Sequence, residues 1–96
     1  MSTHDAKRFA QIDQDNPEVW LLFVRFTQEL IGRGFRHHSA YAVMHRVRWE
    51  TMARLDDDSE YKISNGWIPY YARKYHRLYP HHDGFFICRT AQADNP

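Results

Sequence analysis

The sequence predicts a mainly α fold (α+β) of winged-helix-like layout, a three-helix core closed by a small two-stranded antiparallel sheet. Three observations predict it. Apolar residues recur at helical spacing in three stretches, each preceded by a capping or proline signal. Two short apolar runs, 61–63 and 85–89, read as strands able to pair. The chain has 96 residues, which allows one domain and buries only about 60–65% of the surface of its unfolded form. The expected division is an arm over 1–15, a single helical domain over 16–90 and a flexible tail over 91–96.

Residues 1–14 show no clear period and read as a loose arm or a short helix around 6–12. The first strong signal is Asp15-Asn16-Pro17-Glu18. Asn16 suits an N-cap that accepts from a backbone N–H. Pro17 lacks a donor that the first turn leaves unpaired anyway, and Glu18 complements the helix dipole. The helix then runs over 17–31, with Val19, Phe23, Phe26 and Leu30 as its stripe, broadened by Trp20, Leu22 and Ile31. Gly32 and Gly34 supply the positive-φ stop.

Ser39 is the next N-cap, opening a second helix over 40–53. Its inner face is Ala40, Val43, Met44, Val47 and Thr51. Tyr41, His45, Arg48 and Glu50 lie elsewhere, and Trp49 either packs at the edge or projects outward. Asp56, Asp57, Asp58 and Glu60 then form an acidic loop too self-repelling to continue the helix. Ser64-Asn65-Gly66 caps a third helix over 67–78, with Pro69 still in the first turn. Ile68, Tyr71, Ala72, Tyr75 and Leu78 face inward, Arg73, Lys74 and Arg77 outward, and Tyr70 and His76 lie at the boundary. Tyr79-Pro80 ends this helix. His81-His82-Asp83-Gly84 is a turn by composition. In the strand that follows, Cys88 shares a face with Phe86 and reads as a buried, inert thiol.

The formal net charge of +1 averages blocks of opposite sign: −2 over 1–29, +4 over 30–49, −4 over 50–60, +4 over 61–90 and −1 over 91–96. Two basic segments flank an acidic one, which suits a polyanion-binding face. The single Cys excludes a disulfide framework and a Cys-rich zinc module, and fits a reducing, cytoplasmic setting. The polar amino terminus and the absence of a long apolar run predict neither a signal peptide nor a membrane span. There is no glycine-rich phosphate loop and no HExxH, so no cofactor and no metal site are expected. A carboxylate-plus-histidine metal centre of a hydrolase, built from Asp83, His82 and one distant His, is a distant third reading, because adjacent histidines point apart.

The leading expectation is a non-enzymatic, double-stranded DNA-binding protein. Its basic third helix would enter the major groove with Arg73, Lys74 and Arg77 on phosphates or guanine edges. Tyr70 would touch the backbone, and Arg46, Arg48 and Arg89 would clamp outside. The alternative is a protein–protein inhibitor. Trp49, Trp67, Tyr70 and Tyr79 would be its aromatic anchors, and Asp56, Asp57, Asp58 and Glu60 would mimic phosphates. Six Tyr, six Phe and three Trp exceed what one small core needs, so outward rings and a homodimer that covers them are expected.

The chain also resembles a family of small proteins from phages, prophages and bacteria with no assigned activity. Asn16-Pro17, Gly34-Phe35, Ser39-Ala40, Arg48-Trp49, Lys62-Ile63 with Asn65, Tyr71-Ala72-Arg73, and Pro80 followed by Gly84-Phe85-Phe86 and Arg89 carry the resemblance. Ser64 stands where that family has a second Asn. The resemblance implies a phage setting, in which small proteins regulate transcription or disable host machinery, CRISPR defence included.

Overall fold

The computed structural model describes residues 3–55 and 65–86. Among these residues the protein has four α-helices: α1 (Thr3–Asp15), α2 (Pro17–Gly32), α3 (Ala40–Leu55) and α4 (Ile68–Leu78). A 3-10 turn, Asn65–Trp67, leads into α4, and a second, Pro80–His82, follows it.

The segment read as an arm or short helix is α1; its Phe9 belongs to the core and its Ile12 packs against it. A single residue, Asn16, separates α1 from α2. Asn16 does not cap α2 with its side chain. Its Nδ2 instead donates to the Ile12 carbonyl at 2.9 Å, which also accepts the Asn16 backbone N–H at 3.1 Å, so Asn16 closes the end of α1. Pro17 opens α2 as its pattern predicts, and Val19, Leu22, Phe23, Phe26 and Thr27 are buried. At the far end the Gly34 N–H bonds to the Ile31 carbonyl at 3.0 Å and the Phe35 N–H to the Leu30 carbonyl at 3.2 Å. This double closure needs a left-handed residue after the helix, and Gly34, at φ 96°, supplies it. Gly32 stays within the helix.

Ser39 caps α3: its Oγ accepts from the Ala42 N–H at 3.3 Å. The inner face of α3 is the one read from the sequence, with Ala40, Val43, Met44, Val47 and Thr51 all buried. In α4, Ile68, Tyr71, Ala72 and Tyr75 are buried, whereas Leu78 is 52% exposed rather than inward.

The expected sheet is not seen among the described residues, and the winged-helix layout falls with it. No strand forms among the described residues, and the one bridge, His38 to Phe86, is isolated and parallel. The partner segment 61–63, like Cys88 and Arg89, lies outside the described residues. The reason lies in what Phe85 and Phe86 do. A half-buried strand alternates its side chains, but both rings are buried here. Their backbone groups are also engaged elsewhere: the Phe85 carbonyl accepts from the His38 N–H at 3.1 Å, and the Phe86 N–H donates to His76 Nε2 at 3.0 Å. This segment is a plug in the helical core rather than a strand of a hairpin.

Most of the aromatic surplus sits inside. Phe9 meets Tyr71 edge-on at 4.8 Å, Tyr71 lies 5.9 Å from Phe23, and Phe23 5.3 Å from Phe86. Phe86 lies edge-on 5.8 Å from Tyr75, which stacks on Tyr79 at 4.6 Å. Tilted and edge-on pairs suit the ring quadrupoles. One chain of contacting rings thus ties α1, α2, α4 and the 85–86 plug together.

Candidate functional site: the outer face of the third helix

The residues expected to grip DNA have different fates. On α4, the Lys74 side chain is only 17% exposed. Its ammonium pairs with the Asp13 carboxylate of α1 and lies 4.2 Å from the centre of the Trp20 ring. Asp13 and Trp20 thus occupy the ammonium that was expected to reach a phosphate. Arg73 is half-buried, with its guanidinium 4.6 Å over the Tyr70 ring. Tyr70 itself stacks on Phe9 at 5.3 Å and is half-buried. Arg77 is exposed on the last turn of α4, where it complements the helix dipole.

On α3, Arg46 bonds to Glu29 of α2 at 3.3 Å and lies 4.0 Å over the Phe26 ring. Arg48 donates to the Asn65 side-chain oxygen at 2.9 Å, joining α3 to the turn before α4. Both bind helices to one another. Arg89, Asp56, Asp57, Asp58 and Glu60 lie outside the described residues.

Of the expected aromatic anchors, Tyr70, Trp67 and Tyr79 are part of the packing. Trp67 lies against Tyr70 at 5.2 Å with Arg8 over its ring at 5.6 Å, and Tyr79 is stacked on Tyr75. Trp49 is different: it is 73% exposed. It stands nine residues after the buried Ala40, about two and a half turns at 3.6 residues per turn, so it points directly away from the core. His45 and Tyr41, one and two turns earlier, are exposed on the same side, Tyr41 to 45%. Tyr41, His45 and Trp49 therefore form an outward stripe at i, i+4 and i+8, back to back with the buried one. The sequence contains this signal. It is a second apolar period half a turn out of phase with the first, which an inward-looking search passes over.

The sequence leading up to Trp49 is basic, and Glu50 directly follows it. Arg33, Arg36, Arg46 and Arg48 fall within 30–49, where there is no acid. Glu29, just before this segment, approaches Arg33 at 3.8 Å as well as Arg46. Among the described residues no three His, Cys, Asp or Glu come together as a metal site, so the hydrolase constellation is not assembled there. No helix among them is long and apolar enough to cross a membrane. No family model matches the chain, and no curated protein or solved structure matches it.

Proposed function

We propose that this chain is a non-enzymatic protein-binding module whose contact surface is the outer face of α3, centred on Trp49. The observation that carries the reading is the 73% exposure of that indole at the end of the outward stripe of Tyr41, His45 and Trp49. Burying a side chain of this size in a partner's pocket is worth about 4 kcal/mol by area, against about 0–1 kcal/mol for a surface ion pair. Trp, Tyr and Arg are the residue types that dominate binding energy at interfaces. The basic segment around the stripe selects a partner whose apolar pocket has an acidic rim. The resemblance to small phage and prophage proteins suggests the setting, a cytoplasmic host or phage machine that the chain inhibits by occupying it.

Duplex DNA is the competing partner, and its case has weakened because Lys74 is committed to Asp13 and Trp20. The test uses the full chain immobilised in nuclease-treated bacterial lysate, followed by reconstitution with the identified partner in purified form. Binding to that partner is expected to fall at least about tenfold in Trp49→Ala and to be unchanged in Arg77→Ala. Equal partner affinity in Trp49→Ala overturns the proposal. So does capture that disappears with nuclease while purified chain shifts duplex DNA and Arg77→Ala does not.

A further inference from the structure

The two adjacent-histidine pairs stand out in the sequence, and the α3 surface leaves most of them unused. The fold brings three of the four, His37, His81 and His82, to one place. A cleft of 210 Å³ lies between the α2–α3 connection and the turn that follows α4, lined by Arg36 and His37 on one side and by His81, His82 and Asp83 on the other. Phe35, Ile31 and Phe85 supply its apolar part. Two backbone features hold the walls together: the His38 N–H bond to the Phe85 carbonyl, and the left-handed glycines Gly34 and Gly84, which turn the chain at each wall.

Hydrogen bonds orient two of the imidazoles. His37 Nδ1 lies 3.4 Å from the Gly84 carbonyl, which only accepts, so Nδ1 carries the hydrogen and Nε2 is uncommitted. His82 Nδ1 lies 3.3 Å from the Tyr75 hydroxyl. Burial raises the pKa of that phenol, with Tyr79 adding to the effect, so it keeps its hydrogen and can donate to Nδ1. His82 then presents Nε2–H. Arg36 is exposed and pairs with no carboxylate among the described residues.

We infer that this cleft binds a small phosphate monoester, with Arg36 and the imidazoles of His37, His81 and His82 taking the phosphate and Phe35 and Phe85 carrying its apolar body. A guanidinium matches a phosphate with two parallel hydrogen bonds. The volume is below the roughly 300 Å³ at which drug-sized pockets begin, so it suits a phosphate on a single ring. In the lining Arg36 offsets Asp83, and His76 of α4 lies 3.8 Å from Asp83.

The test titrates the full chain with phenyl phosphate and follows the imidazole proton resonances. Arg36→Gln, at an exposed position that does not endanger the fold, is expected to weaken binding about tenfold. The double variant His81→Gln with His82→Gln is expected to weaken it about as much, and Trp49→Ala to bind as the wild type does. Unchanged affinity in Arg36→Gln, or no movement of the imidazole resonances on titration, overturns the inference.

Discussion

Lys74 and Trp49 show how environment reverses what a residue type suggests. A lysine on a surface helix face reads as a free cation, yet here the ammonium is enclosed by Asp13 and the Trp20 ring, with both ionic partners below a fifth exposed. An ammonium over an indole face gains attraction from the ring quadrupole, and its desolvation is offset by the carboxylate. Asp13→Ala should therefore cost about 1–3 kcal/mol in urea unfolding, because it leaves that charge enclosed without its partner. Arg77→Ala, on the same helix but exposed, should stay within about 0.5 kcal/mol of the wild type. Trp49→Ala should likewise leave stability within about 0.5 kcal/mol, since most of its ring already faces water. A binding loss in that variant is then a loss of contact and not of fold.

At the scale of the element, the segment after α4 depends on one imidazole. His76 Nε2 accepts the Phe86 N–H, so protonating that nitrogen removes the acceptor and weakens the plug's hold, while the His38 bond to the Phe85 carbonyl and the ring contacts stay in place. Burial pushes the His76 pKa below its usual value, and the Asp83 carboxylate only partly restores it. The unfolded chain therefore takes up this proton first as pH falls. Its stabilisation is fully present above about pH 6.5 and is lost progressively as pH drops through that value toward the lower folded one. His76→Gln keeps an acceptor, its Oε1, that cannot titrate. The urea midpoint of the wild type should fall more steeply between about pH 7.5 and about pH 5 than that of His76→Gln. Parallel curves for the two proteins would remove the latch. This element also marks where sequence reading fails. The start of α2 at Pro17, the Ser39 cap and the inner stripe of α3 were legible because each is decided within a turn or two of chain. The place of Phe85 and Phe86 is decided by His38 and His76, distant or on another element, and a period-two pattern mimics a strand there. The candidate site was half legible: Trp49 stood off its stripe in sequence, but that Trp67 and Tyr79 would be absorbed by other rings was not.

At the scale of the whole molecule, the question is what makes α1 part of the domain. Its sequence has little apolar content beyond Phe9 and Ile12, so it cannot be held by a broad stripe. Several contacts hold it instead, Ile12 against the core and Arg8 over Trp67 among them, and two of different chemistry can be removed singly: Phe9 among Tyr70, Tyr71 and Trp67, and Asp13 on Lys74. Phe9→Ala should cost about 3 kcal/mol, the lower end for a core phenylalanine, because the ring lies at the edge of the core. If the two attachments together dock one rigid helix, losing either loosens the other, and the second substitution then removes less than it does alone. The double variant Phe9→Ala with Asp13→Ala should therefore fall short of the summed single effects by about 1 kcal/mol or more in urea unfolding. Effects additive to within about 0.5 kcal/mol would mean that α1 is fastened residue by residue. A shortfall means that α1 docks as a unit, with its edge of the ring chain and the shielding of Lys74 made or lost together.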